Sequence, residues 1–164
     1  MHIPLQSGDD TTLREMGRTY TSEEYAALIK RVRGACPGVA ITTDVIVGLP
    51  GETEERFQNT IRFLEEVRPA RLHVFKYSKR PGTPAAMRKD QVPEKVKTEL
   101  SETVRGLGEK LAAGYRREFV GHELDVLVEK ANGKILTGTS ENYLSVSFEG
   151  KSSDVGRIVR VKLA

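Results

Sequence analysis

The first ninety residues alternate between short β-type runs and longer helical ones, and this alternation constrains the fold more than any other feature of the 164-residue chain. Ile3–Gln6 is brief and extended. Thr21-Ser22-Glu23-Glu24 is a capping box, behind which Tyr25, Leu28, Ile29 and Val32 recur at helical spacing until Gly34 and Pro37. Ala40–Val47 is rich in Ala, Ile, Val and Thr and barely alternates, as a strand covered on both faces does. Leu49-Pro50-Gly51 turns the chain. Thr53 is placed to cap a helix with Phe57, Ile61 and Leu64 on one stripe, ending before Pro69, and Leu72–Tyr77 is the next strand. Strands joined by helices of this length pair in parallel through right-handed crossovers. The expected class for residues 1–90 is α/β, with three parallel strands.

Ser78–Asp90 reads as loop. Pro93 suits the first turn of a long helix on which Val96, Leu100, Val104, Leu107, Leu111 and Tyr115 keep helical spacing. Gly106, Gly108 and Gly114 weaken that helix, each by about 1 kcal/mol relative to Ala. Residues 91–118 are therefore expected to form a connecting helix packed against something. After Gly121 the pattern changes. Asn132-Gly133 between two short strands is the signature of a type I′ hairpin. Leu144, Val146 and Phe148 alternate with Tyr143, Ser145 and Ser147, and Arg157–Leu163 alternates again. Four or five short strands in residues 119–164 suggest a small closed β-barrel.

Hydrophobic residues at 38% and charged residues at 30% are ordinary for a soluble protein. No apolar run approaches the roughly 20 residues of a membrane span and no signal-peptide pattern opens the chain, so a cytoplasmic protein is expected. The single cysteine, Cys36, rules out an intrachain disulfide and any multi-cysteine metal site; beside Pro37-Gly38 it reads as a buried thiol or a bystander. The net charge of +3 hides uneven placement. Residues 1–67 carry seven Lys/Arg against eleven Asp/Glu, residues 68–90 carry seven against one, and residues 119–164 balance at six and six. The basic character is local.

Three polar, glycine-containing segments each follow an expected strand: Gln6-Ser7-Gly8, Gly48-Leu49-Pro50-Gly51-Glu52, and Tyr77-Ser78-Lys79-Arg80-Pro81-Gly82-Thr83. In parallel α/β folds ligands bind outside the C-terminal strand ends, so three such loops converge on one candidate site. Each taken singly also reads as an ordinary strand-to-helix turn. Asp44 sits inside an apolar strand, where a carboxylate needs either a structural partner or a ligand. His2 and His73 read as core or supporting residues rather than metal ligands, and His122 carries no signal. Lys76, Lys79, Arg80, Arg88 and Lys89 cluster around one strand end; an RNA or phosphorylated ligand and a plain solvated loop are equally consistent with them. In Thr137–Tyr143, Tyr143 is suited to stack on an RNA base and Asn142 to hydrogen-bond one, or the segment is a polar loop entering a strand.

The segments His2-Ile3-Pro4-Leu5-Gln6-Ser7-Gly8, with Leu13, Met16, Arg18 and Tyr20 behind, Thr43-Asp44-Val45-Ile46-Val47-Gly48-Leu49-Pro50-Gly51-Glu52-Thr53, with Phe57 and Thr60, and Tyr77–Ala85 follow one another in this order. Together they resemble the C-terminal half of the radical-SAM methylthiotransferases, and the tail resembles the TRAM domain, a small RNA-binding β-barrel. Leu72–Ser78 and Thr137–Tyr143 are most similar to the branch acting on N6-threonylcarbamoyladenosine at position 37 of tRNA, which adds a methylthio group to C2 of the adenine. Sister branches act on isopentenyladenosine in tRNA or on a ribosomal protein.

The resemblance implies three strands with helices from a six-stranded partial barrel, followed by TRAM. It implies S-adenosyl-L-methionine (SAM) contacts from Gln6 and Ser7, from Asp44, Ile46 and Gly48, and from Phe75 and Tyr77. The cations Lys76, Lys79, Arg80, Arg88 and Lys89, with Asn142 and Tyr143, would face tRNA. The family also uses two 4Fe–4S clusters held by cysteines that this sequence lacks. Asp9 also stands where the family usually has Ser. The chain alone is therefore expected to contain no catalytic or metal-ligating residue, to bind neither cluster nor SAM stably, and to be inactive without the rest of a longer enzyme. The alternative is a non-catalytic RNA-binding module. Ile3–Gln6, lacking a neighbour on one side, is an edge through which copies of the chain would associate.

Overall fold

Side chains that can accept a main-chain N–H stand in front of each helix of the first half, and they decide where those helices begin. In the computed structural model, which describes residues 1–163, Asp9 accepts from the N–H of Thr12, Thr21 from Glu24, Thr53 from Arg56 and Thr83 from Ala86. Glu24 returns the bond to the N–H of Thr21, completing the capping box. The elements so started are α1 (Asp10–Glu15), α2 (Ser22–Ala35), α3 (Glu54–Val67) and α4 (Pro84–Met87), with β1 (Thr42–Val47) and β2 (Arg71–Lys76) between them. The long helix α5 covers Glu94–Arg117. Two compact units result, Met1–Ala112 and a second beginning at Ala113, so the division falls inside α5.

β1 and β2 pair in parallel, in register from Thr42↔Arg71 to Val47↔Lys76. The expected first strand is present but irregular. Pro4 has no N–H to give, and the N–H of Leu5 goes to Thr43 Oγ1 (2.9 Å) rather than to the main chain. Ile3 N–H to Thr42 O (2.9 Å), Gln6 N–H to Asp44 O (2.8 Å) and Ile46 N–H to Gln6 O (2.9 Å) keep the segment parallel to β1 through two isolated bridges.

β1 is not covered on both faces, as its composition suggests. Thr43, Val45 and Val47 are buried, whereas Thr42, Asp44 and Ile46 are only half-buried. The odd-numbered side join a core of Tyr25, Ile29, Phe57, Phe63, Leu64 and Val104 contributed by α2, α3 and α5. The even-numbered side, with its register partners Arg71, His73 and Phe75, has no helix over it among the described residues.

The buried stripe of α5 is Lys97, Ser101, Val104 and Gly108, one position round from the stripe that begins at Val96, which is exposed. Steric room explains the rotation. A Cβ built on Gly108 would lie 3.3 Å from Leu72 Cβ, so the glycine that costs helix propensity is what lets α5 lie close on β2.

In the second unit β3 (Glu123–Asn132), β4 (Ile135–Ser140), β5 (Ser145–Glu149) and β6 (Ile158–Lys162) form an antiparallel sheet in the order β5-β4-β3-β6. A register shift between Val128 and Lys130 marks a bulge, which bends β3. The hairpin loop is Gly133-Lys134, because Asn132 pairs with Ile135; positive φ falls on Gly133 alone, the pattern of a type II′ turn rather than the expected I′. The sheet curls around Phe119, Leu124, Val126, Leu144 and Val146. No ladder joins β5 to β6 among the described residues, so it curls without closing. Cys36, at the end of α2, is exposed, and it is the bystander of the two readings. No helix among the described residues is long and apolar enough to cross a membrane.

Two of the glycines in α5, Gly106 and Gly108, should respond in opposite ways. Gly108→Val forces α5 off Leu72 and should lower stability by about 1–3 kcal/mol in urea unfolding. Gly106, with nothing within 4 Å of a built Cβ, should gain up to about 1 kcal/mol on substitution by Ala.

Candidate functional site at the ends of the parallel strands

The loop after the first strand is fastened to α3. Thr60 Oγ1 lies 3.1 Å from Ser7 Oγ and accepts from the N–H of Gly8 at 3.1 Å, while the N–H of Asp9 donates to Ser7 Oγ at 3.1 Å. A Cβ on Gly8 would meet Phe63 Cβ at 2.6 Å, so only glycine permits this approach. Gln6 holds a positive φ of 75°, a conformation a non-glycine residue keeps only when its surroundings impose it. Gln6 and Ser7 are both buried, and the Ser7 hydroxyl is committed to the loop's own architecture. Burial works to raise the Asp9 carboxyl, but hydrogen bonds from Asn59 and Thr12 outweigh it and hold the group below its ordinary range.

The loop after β1 is shaped by one lysine. Gly48 has φ 76°, and a Cβ there would fall 2.3 Å from Lys97 Cγ. The Lys97 stem fills that space with 8% exposure. Its ammonium donates to Tyr77 O at 3.2 Å, lies 5.3 Å from the centre of the Tyr77 ring, and sits 3.5 Å from Glu94. Gly48 and Tyr77 thus meet under the first turns of α5. The Tyr77 hydroxyl and the Ser101 hydroxyl are buried without a hydrogen-bond partner.

Glu52 folds back so that its carboxylate accepts from the N–H of Gly48. Burial pushes this carboxyl up to about 7; the Gly48 bond opposes the shift and the negative charge of Asp9 adds to it.

On the uncovered face, His2 Nε2 lies 3.4 Å from Asp44 Oδ2, His2 Nδ1 lies 2.9 Å from Thr42 Oγ1, and the rings of His2 and His73 meet edge to face at 5.8 Å. Asp44 is therefore partnered and partly solvated rather than deeply buried. One register step further, Ile46 and Phe75 lie side by side, and Phe75 is 52% exposed. Of the seven residues assigned to SAM by resemblance, Asp44, Ile46 and Phe75 share this open face. Gly48 and Tyr77 lie beneath α5, Gln6 is buried beside β1, and the Ser7 hydroxyl is turned to Thr60 of α3.

The basic cluster divides. Lys76 is 2.6 Å from Glu94 and 3.3 Å from Thr98 Oγ1. Arg88 makes two bonds to Asp90 (2.6 and 2.9 Å) and one to Glu15 (2.7 Å). Asp90 first and Glu15 second push its pKa above the ordinary guanidinium value. Lys79, Arg80 and Lys89 are exposed and make no side-chain bond among the described residues. In the second unit Asn142 is buried, its Oδ1 accepting from Ser140 Oγ at 2.5 Å, whereas Tyr143 is 78% exposed. The carboxamide expected to meet a base is thus turned into its own turn.

Lys97 escaped the sequence reading, and Glu52, quoted there as the end of a strand-end segment, was given no role of its own. The spacing of Glu52 four residues after Gly48 was the available signal for the second. For Lys97 there was none, because a lysine on an apolar helical face reads as its solvated rim.

Residues 1–64 match the family model described as the radical SAM superfamily. The chain's homologues are tRNA methylthiotransferases. It is 43% identical over 168 residues to the threonylcarbamoyladenosine tRNA methylthiotransferase of Bacillus subtilis, covering 99% of this chain and 37% of that protein. To the tRNA-2-methylthio-N(6)-dimethylallyladenosine synthase of Thermobifida fusca it is 49% identical over 134 residues, 82% of this chain and 27% of that one. The synthase of the same name from Oceanobacillus iheyensis is 42% identical, over 99% of this chain and 32% of that one. The chain thus spans about a third of the length of the curated relatives it matches. Among solved structures, coproporphyrinogen III oxidase of Escherichia coli, a radical SAM enzyme, superposes with a TM-score of 0.57 at 19% identity, over 93% of this chain and 46% of that one. That likeness establishes a partial radical-SAM fold.

Radical SAM chemistry uses SAM and an iron–sulfur cluster. The Ile46–Phe75 shelf fits the flat, apolar face of an adenine. The cluster does not fit this chain: no group of three His, Cys, Asp or Glu among the described residues could hold a metal ion, and Cys36 stands apart at the end of α2.

Glu52 gives the site a pH signature. Its folded pKa of about 7 exceeds the unfolded value of 4.5, so its stabilising contribution is complete below pH 4.5 and is lost as pH rises through 7. Urea midpoints should fall by the equivalent of up to about 3 kcal/mol between pH 4.5 and pH 8. Glu52→Gln should flatten that slope and leave the chain more stable at pH 8.

Proposed function

We propose that this chain is the C-terminal portion of a radical-SAM methylthiotransferase that places a methylthio group on C2 of N6-threonylcarbamoyladenosine at position 37 of tRNA. The observation that carries the reading is likeness along nearly the whole chain, at 43% identity, to an enzyme of that name. The open sheet face supports it, because Asp44, Ile46 and Phe75 stand together where the resemblance assigns the adenosine of SAM. In this reading residues 119–164 are a TRAM domain, the protein acts on tRNA in the cytoplasm, and two 4Fe–4S clusters are anchored by residues outside this chain. Alone, the chain neither holds a cluster nor turns over. The 49% identity to a dimethylallyladenosine synthase favours a second reading, in which the same chemistry is performed on N6-dimethylallyladenosine.

Deleting the coding sequence in its host and analysing tRNA nucleosides by mass spectrometry separates the two. Loss of 2-methylthio-N6-threonylcarbamoyladenosine is expected; loss of the dimethylallyl product instead selects the second reading, and loss of neither rejects both.

The basic loop yields a further expectation. Lys79→Ala and Arg80→Ala should each weaken tRNA binding and reduce the salt slope by about 1, leaving thermal stability unchanged. Arg88→Ala should cost about 1 kcal/mol of stability instead, because its guanidinium ties Asp90 to Glu15. Filter binding at several salt concentrations, with melting curves, checks both.

A further inference from the structure

The second unit leaves two strand edges without a neighbour. β5 and β6 stand at the two ends of the sheet order, and no strand pairs with the outer edge of either among the described residues. A cavity of about 670 Å³ opens between those edges, beside the last turn of α5. Its lining shows how it lies. Every residue from Leu144 to Phe148 contributes on the β5 side, and Val161, Lys162 and Leu163 contribute at the end of β6. Successive side chains of a strand point to opposite faces, so a groove touched by consecutive residues runs along the strand edges and not over either face.

An unpaired edge presents a row of main-chain N–H and C=O groups, and another extended chain is what satisfies such a row. Alternation then sets the sequence of that chain. Leu144, Val146, Phe148, Val161 and Leu163 belong to the apolar core of the unit, so every second side chain of an inserted segment meets apolar neighbours. The positions between them lie beside Ser145, Ser147 and Lys162, which are exposed, and Arg116 and Arg117 join the lining from α5. No carboxylate lines the groove, and these three cations form no ion pair among the described residues. Acidic side chains complement them.

We infer that the edges of β5 and β6 take up an extended segment of a partner protein in which apolar and acidic residues alternate. The groove's charge selects an anion, and its two rows of main-chain groups select a polypeptide among anions. The inference stands apart from the tRNA reading, and neither needs the other.

The full chain and a fluorescein-labelled peptide of three Glu-Val repeats provide the test, read by anisotropy. This peptide should bind about ten-fold more tightly than its Lys-Val counterpart. Proline in place of the middle valine removes one main-chain N–H and should weaken binding by about ten-fold. Arg116→Glu combined with Arg117→Glu, both at exposed positions, should turn the preference towards the Lys-Val peptide. On the parent chain, amide exchange in β5 and β6 should slow when the Glu-Val peptide is added. Absence of binding, binding indifferent to peptide charge or to proline, or protection that falls outside β5 and β6 overturns the inference. A sedimenting dimer that protects the same amides without peptide assigns the edges to a second copy, and displacement of the peptide by a single-stranded RNA that protects them equally assigns the groove to RNA; either result overturns it too.

Discussion

A buried lysine holds the first unit's strand ends in place. Lys97 threads its stem through the space that Gly48 leaves empty and places its ammonium on the carbonyl of Tyr77, over that residue's ring and beside Glu94. A cation this buried is tolerated only when its partners are fixed, and here they come from the residue just after β2 and from α5 itself. The contact sets the direction of α5 on the sheet. Lys97 lies at the Tyr77 end of β2 and Gly108 at the Leu72 end, so helix and strand run antiparallel along one face. All three long helices then lie on that side. The other face is left with His2, Asp44, His73, Ile46 and Phe75 uncovered among the described residues.

The same economy governs the basic loop. Seven cations in residues 68–90 form a like-charged run, which alone would repel itself into a mobile tail. Two of them are neutralised by carboxylates at the loop's borders: Lys76 by Glu94 where β2 ends, and Arg88 by Asp90 and Glu15 where α4 ends. Lys79 and Arg80 lie between these anchors and make no side-chain bond among the described residues. The paired cations fix the loop and the unpaired ones define what it can attract.

Much of this was legible in the sequence, and the failures share a cause. A capping box, a threonine cap and helical stripes located α2, α3 and α5, because caps and amphipathic period act locally. The three strand-end motifs marked loops that do follow the strands. Which side chains those loops turn outward was not legible, because it depends on long-range partners: Ser7 is captured by Thr60, fifty-three residues away, and Gly48 by Lys97. Asp44 looked costly because the strand seemed covered on both faces, and a bare second face removes most of that cost. Lys97 was invisible for the converse reason, since a lysine is read as solvated until its receiving glycine is found.

Charge counting hides placement at the C-terminal end. Residues 119–164 balance at six and six, which argues against an electrostatic role. Yet Arg116 and Arg117 lie just outside that window, on the turn of α5 that lines the β5–β6 groove, while the carboxylates sit elsewhere: Glu123 and Asp125 face Arg160, and Glu129 accepts from Thr139. Placement, not total, gives the groove its sign. Tyr143 adds the second asymmetry. The left-handed position falls on the tyrosine although Asn142 would adopt it more cheaply, because the asparagine carboxamide is held inward by Ser140. The turn thus keeps its polar group for its own closure and spends about 1–3 kcal/mol of backbone strain on a ring that touches mainly water.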